Sequence, residues 1–349
     1  MKRSISIILA AILAVSMLTA CGQTPAATTA AAAQAAAETT KAPEKPAEVI
    51  NMKLATVGNP GDGIMAGCEH FANNIGSETG GAVAVEVFPS SQLGGYTDYI
   101  SGLQMGSLQI AEIDASVLSS VAPKFSIFGL PYISSNLDSL QGVLKGEAGE
   151  ILNKDLKDNA GLMVIGWICR PARSVYSSKG PINSVEDFEG LKIRTMESAP
   201  MLRAMELLGA KATPIPTAER YLALQTKVVD AAENNLVEIN NAKEYEVTKY
   251  LSLTEHIMQP TCICISAKYF DSLPADVQAK VLSVGEAAGD KGTETDWALV
   301  DVARGKLEEQ GMIINEIHDK TPFKEKVAPL YEEYYSVVGE DLIKIFQGK

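Results

Sequence analysis

Pro181-Ile182-Asn183-Ser184-Val185-Glu186-Asp187-Phe188-Glu189-Gly190-Leu191-Lys192-Ile193-Arg194 runs from a turn-rich loop through a short acidic helix start into an apolar strand that carries a guanidinium. An arginine brought into a protein's interior is costly unless an anion meets it, and its planar fork of donors matches a carboxylate bidentately. A carboxylate-binding cleft is therefore the first expectation for Arg194.

Outward from this stretch, hydrophobic periodicity predicts a strand over Met52 to Val57, then a helix whose face carries Ile64, Cys68, Phe71, Ala72 and Ile75 and which Gly80-Gly81 ends. Val83, Val85 and Val87 alternate as a second strand, Tyr99, Leu103 and Met105 mark another helix, and Leu108 to Ile113 reads as a third strand. Repeated strand–helix–strand units imply an α/β fold with mostly parallel sheets. About 300 residues are enough for two lobes with their own cores. The chain is expected to cross between lobes near Arg170-Pro171 and again near Gln259-Pro260, where the apolar strand Thr261 to Ser266 begins. The lobes are thus discontinuous, 50–170 with about 260–299 and 171–259 with about 300–349. A long helical stretch from Pro274 to about Gln310 follows, in which Gly285, Gly289 and Gly292 predict weakening or a kink.

Lys2 and Arg3 precede a short apolar run, Ile5 to Leu18, that ends in Leu18-Thr19-Ala20-Cys21. This reads as a signal sequence over 1–20. The small residues before Cys21 resemble a bacterial lipobox, which implies a lipid on Cys21, attachment to the outer side of the cell membrane, and a tether over 21–49. The Ala- and Thr-rich composition of that tether cannot pack a core, and as a flexible coil it would reach about 30 Å. Loss of Lys2 and Arg3 takes the formal charge from −13 to −15. An acidic chain without a basic stripe is not expected to bind nucleic acid.

Cys68 and Cys169 read as small buried hydrophobes, and Cys262-Ile263-Cys264 places two thiols on one face of a strand. Pairing among these four is open. His70, His256 and His318 lack zinc-ligand spacing, so neither a metal nor a cofactor is expected. There is no G-x-S-x-G, H-E-x-x-H or P-loop, and Gly58-Asn59-Pro60-Gly61-Asp62-Gly63 lacks G-x-G-x-x-G order. No enzymatic activity is expected.

The stretch Pro181 to Arg194, together with Leu208-Gly209-Ala210, Thr213-Pro214, Glu219-Arg220-Tyr221-Leu222-Ala223-Leu224-Gln225-Thr226 and Val229-Asp230-Ala231-Ala232-Glu233-Asn234, resembles the solute-binding subunits of tripartite ATP-independent periplasmic (TRAP) transporters. The resemblance implies a two-lobed periplasmic-binding-protein-like fold with a hinge and a long lobe-spanning helix. It also implies a monomer that captures a small organic acid and hands it to the small and large membrane subunits of a cation-coupled transporter.

By the same resemblance Arg194 holds the carboxylate, Arg173 or the competing Arg170 is a second cleft arginine, and Asn234 helps hold the acid group. The usual Gly-Gln before Glu233 is Ala-Ala here. Tyr96 and Asp114 would recognise the rest of the solute, and Glu219 would order the neighbouring loop. Thr217 stands where sialate-binding relatives carry an aromatic, which points toward a dicarboxylate, keto acid or sugar acid instead. The alternatives are a ligand-presenting sensor of the same fold, or an exported hydrolase or lyase.

Overall fold

The computed structural model describes residues 49–134 and 136–348; the expected signal sequence, Cys21 and the tether up to residue 48 lie outside the described residues. The chain begins with β1 (Ile50–Ala55), α1 (Gly63–Glu78), β2 (Val83–Phe88), α2 (Tyr96–Met105), β3 (Ile110–Asp114), α3 (Leu137–Leu144), α4 (Glu147–Ala160) and β4 (Leu162–Cys169). Asp62 starts α1 by accepting the amide of Met65, which satisfies one of the orphan donors at the helix N-terminus. Ile64, Cys68, Phe71 and Ile75 are buried along one face of that helix.

Next come β5 (Arg173–Ser177), β6 (Lys192–Thr195), α5 (Ala199–Leu208), β7 (Lys211–Pro214), α6 (Arg220–Gln225), β8 (Ala231–Asn234), α7 (Leu236–Asn241) and β9 (Tyr250–Ile257). The chain closes with β10 (Pro260–Ser266), α8 (Ala267–Asp271), α9 (Ala275–Ala298), α10 (Val300–Glu309), β11 (Ile313–Glu316), α11 (Thr321–Val327), α12 (Pro329–Val338) and α13 (Glu340–Phe346).

Two sheets result, ordered β2-β1-β3-β10-β4 and β11-β9-β5-β8-β6-β7. Both are mixed, where the strand–helix–strand pattern predicted mostly parallel pairing. β1 runs parallel to β2 and β3, but β10 is antiparallel to both β3 and β4. In the second sheet β5 is antiparallel to β8 and β9, while β6 is parallel to β7 and β8. The cause is the way the chain crosses between sheets. β4 passes into β5, and β9 into β10, through connections too short to hold a helix. Cys169 pairs with Pro260 on one side of the crossing and Arg173 with Ile257 on the other. The two sheets therefore share an antiparallel ribbon, which an open parallel sheet cannot contain.

β10 sorts its side chains cleanly. Cys262 and Cys264 belong to one core cluster and Ile263 to the cluster on the opposite face. Cys68, Cys169, Cys262 and Cys264 are all buried free thiols.

The long helical stretch breaks at Leu299, between α9 and α10, and not at its glycines. α9 packs on α1 and β4, whereas α10 packs on α7. The glycines serve contact: a Cβ on Gly289 would lie 2.5 Å from the carbonyl oxygen of Trp167, and one on Gly292 would lie 2.7 Å from that of Gly63. Only a residue without a side chain lets α9 approach the backbones of β4 and α1 this closely. Residues past 329 also depart from the expected assignment of 300–349 to the second lobe. Leu330, Val338, Leu342, Ile343 and Phe346 join the core cluster built on β3, β4 and β10, with Phe346 against the Phe128 ring. Among the described residues no helix is long and apolar enough to cross a membrane.

Candidate functional site

The ends of β3, β4, β5 and β8 and the starts of α2, α6 and α7 converge where the chain crosses between the sheets. They surround about 260 Å³ of empty space, part of it open solvent. Tyr96 and Asp114 line it from the first sheet's side, and Arg173, Thr217, Arg220 and Asn234 from the second's; Arg170 stands at the crossing. Five of the residues expected from sequence thus meet at one cavity. Arg194 does not line it, but its Nη2 lies 3.5 Å from Oγ1 of Thr217, which does. Glu219 is exposed and is not among the lining residues.

The four arginines differ in their partners. Arg173 is chelated by Glu233: its Nε lies 2.5 Å from Oε2, and its Nη2 donates to Oε1 at 2.9 Å and to the Glu233 carbonyl at 2.7 Å. Burial would raise the Glu233 carboxyl, but Arg173 and His256 outweigh it and hold the group at about 2. Arg220 donates to Glu244 and, at 3.2 Å, to Glu238. Arg170 donates to Asp296 at 2.8 Å and sits 3.6 Å from Glu238. Both arginines proposed for the second cleft position therefore face the cavity, each with a carboxylate of its own.

Arg194 has none. It is 1% exposed, its Nε donates to the Ile215 carbonyl at 2.8 Å, and its Nη1 is buried without a hydrogen-bond partner. Among the described residues it makes no ion pair. Desolvation, reinforced by the charge of Arg220, pushes it down to about 10. A buried cation in this state gains from any anion that reaches it.

The opposite wall carries carboxyls that make no ion pair among the described residues. Glu112 accepts from the hydroxyls of Thr56 at 2.9 Å, Tyr96 at 3.4 Å and Thr261, and burial lifts it to about 7. Asp114 accepts from the amide and hydroxyl of Ser116, both at 2.9 Å, and from Gln259; burial lifts it to about 6. Asn234 is not a helix cap: its Oδ1 accepts the amide of Asn235, and it is Asn235 that caps α7.

Arg170, Arg220 and Glu238 were not singled out as firm site residues by sequence, yet all three line the cavity. A signal existed for Arg220, which shares a helix face with buried Ala223 and Leu224 at i+3 and i+4. A wider groove of about 1640 Å³, part of it open solvent, is lined by Tyr132, Trp297, Arg304, Lys320 and Lys324 among others. Its cations are paired or exposed: Lys320 pairs with Glu255, Arg304 with Glu308 and Glu316, and the exposed Lys324 ammonium lies 5.5 Å from the Tyr132 ring centroid. The smaller cavity is the one with a buried, unpaired cation beside it. Among the described residues no cluster of His, Cys, Asp and Glu could hold a metal ion.

Residues 54–337 match the family model for bacterial extracellular solute-binding proteins, family 7. A solute-binding protein of Chromohalobacter salexigens is 30% identical over 266 residues, which is 76% of this chain and 79% of that one. A TRAP periplasmic solute-binding protein from Roseobacter denitrificans, solved with bound β-D-glucuronate, superposes with a TM-score of 0.83 at 29% identity, covering 86% of this chain and 99% of the other. One from Sulfurospirillum deleyianum, solved with bound succinate, superposes with a TM-score of 0.81 at 30% identity, covering 85% and 98%. With its shared hinge ribbon and its arginine-lined cavity between two sheets, the chain belongs to the family 7 bacterial extracellular solute-binding proteins, the non-enzymatic solute-capturing subunits of TRAP transporters.

Proposed function

We propose that the cavity holds one organic acid, its carboxylate on Arg194, Arg173 and Asn234 and the remainder directed toward Tyr96 and Asp114. The observation that carries this reading is Arg194, a buried guanidinium with one unpartnered nitrogen and no carboxylate among the described residues. The Thr217 hydroxyl lines the cavity and lies 3.5 Å from Nη2 of Arg194, so it is expected to shift or join the contact when the acid arrives. Because the solute touches both walls, it favours the closed arrangement of the lobes over the open one, with the ribbon crossings at 170–172 and 258–259 and the helix break at Leu299 as hinges.

Residues 50–170, about 260–298 and 329–346 form the first lobe in this reading, and 171–259 with 300–327 the second. The protein acts as a monomer, held outside the cell membrane by a lipid on Cys21, and passes its solute to the TRAP membrane subunits. Metabolic labelling with a fatty acid checks the anchor: label is expected on the wild type and lost in Cys21→Ser.

The relatives solved with glucuronate and with succinate place sugar acids and dicarboxylates among the solutes to try. A thermal-shift screen over uronates, aldonates, keto acids and C4 dicarboxylates tests the function. A ligand at 100 times its dissociation constant adds about 2.7 kcal/mol of stability. At least one acid is expected to raise the melting temperature in step with its concentration, and a flat response across the panel would count against the reading.

A further inference from the structure

We infer that the solute is a polyhydroxylated monocarboxylate, a sugar acid, and that Asp114 is the residue that turns dicarboxylates away; this rests on the reading of Arg194 as the carboxylate's partner. Family membership does not decide the matter, since relatives of equal similarity were solved with glucuronate and with succinate.

The buried arginines differ in whether a carboxylate already holds them. Glu233 neutralises Arg173, Glu244 and Glu238 flank Arg220, and Asp296 with Glu238 matches Arg170. Among these arginines Arg194 alone has no carboxylate partner, so a single guanidinium is left free for a solute's carboxylate. A second carboxylate would find only arginines that already hold a carboxylate of their own.

It would also enter against Asp114. The three donors that reach this side chain, from the Ser116 amide, the Ser116 hydroxyl and Gln259, all meet Oδ1. Among the described residues no hydrogen bond meets Oδ2. Beside it, the Tyr96 hydroxyl is directed at Glu112. The first-sheet wall thus presents an unused acceptor and no basic side chain of its own. A solute hydroxyl donates to such an acceptor, whereas a second carboxylate meets like charge in a site where burial weakens screening. Arg170 Nη2, a buried donor without a hydrogen-bond partner, can take a hydroxyl or ring oxygen as a neutral acceptor. Sites built around a solute hydroxyl reject analogues that lack it far more strongly than apolar pockets reject a missing methylene.

Calorimetric titration of the protein at about pH 7 with D-galacturonate, D-glucuronate and D-gluconate, against succinate and L-malate, tests the inference. At least one sugar acid is expected to bind about 100-fold more tightly than either dicarboxylate. Asp114→Asn, which removes the charge and supplies a donor, is expected to narrow that ratio by about tenfold or more; Asp114→Ser serves the same comparison if the amide does not fold. A dicarboxylate bound as tightly as the best sugar acid by wild type overturns the inference and leaves Arg194 as the carboxylate's partner. An unchanged ratio in a folded Asp114 variant removes this residue from the selection. Binding of none of these acids, or of any wider panel, removes the reading itself and the inference with it.

Discussion

On the wall built from β5, β8, α6 and α7, arginines and glutamates are buried together, Arg173 with Glu233 and Arg220 with Glu238 and Glu244, whereas on the wall built from β3 the carboxyls of Glu112 and Asp114 are held by hydroxyl and amide donors alone. Glu112 and Glu233 are both fully buried, yet one is held at about 7 and the other at about 2. Burial pushes both up, and at Glu233 the contacts with Arg173 and His256 reverse it. The difference separates charge across the hinge. One wall is a set of closed ion pairs with a single cation left over, and the other is an acceptor surface. In the proposed site, a solute with an acid group at one end and hydroxyls at the other would join them.

The comparison breaks most readily at Glu233. Glu233→Gln strands Arg173 in the interior, and losing one partner of a buried pair typically costs about 3–5 kcal/mol. Urea unfolding is expected to show a loss of that size; a loss under about 1 kcal/mol would mean the pair is not closed in the folded protein.

The next effect belongs to the other wall and depends on pH. The folded carboxyls of Glu112 and Asp114, at about 7 and about 6, lie above their unfolded values near 4. Between these limits the unfolded chain binds fewer protons than the folded one, so stability falls as pH rises from about 4 to about 7. Glu233 has the opposite sign: its contribution is present above about 4 and is lost as pH falls toward 2. Melting temperatures of the solute-free protein across this range are expected to decline toward pH 7, and Glu112→Gln is expected to flatten the decline. A curve of equal slope in the variant would assign the titration elsewhere.

The smallest effect is at Glu219, which is exposed at the start of α6 and away from the cavity. Glu219→Ala is expected to change stability by no more than about 0.5 kcal/mol. A clear loss of solute affinity in that variant would return it to the site.

Much of this was legible before the fold. Val83, Val85 and Val87 alternated as a strand does, Cys262 and Cys264 shared one face of a strand, and Arg194 ended an apolar run that called for an anion. What escaped depends on long-range geometry. The direction of β10 is set by its pairing with β4, nearly a hundred positions earlier, and local periodicity is the same for parallel and antiparallel strands. Gly289 and Gly292 looked like helix defects because nothing local reveals that Trp167 and Gly63 lie against them. Arg220 and Glu238 sit on short helices whose polar residues resemble a solvated face until the partner across the cavity is known.

The central claim is that Arg194 is the cation left unpaired for the solute, and calorimetry on two variants tests it directly. Arg194→Met keeps most of the volume and removes the charge, so it is expected to cost about 2–5 kcal/mol of binding to the best acid from the screen. Replacing a buried charge with an apolar side chain of similar size is often neutral or stabilising, so the solute-free variant should unfold no more easily than wild type. Arg194→Lys keeps the charge without the planar fork and should bind measurably more weakly than wild type. Near-wild-type affinity in a folded Arg194→Met protein would contradict the account and move the carboxylate to another partner.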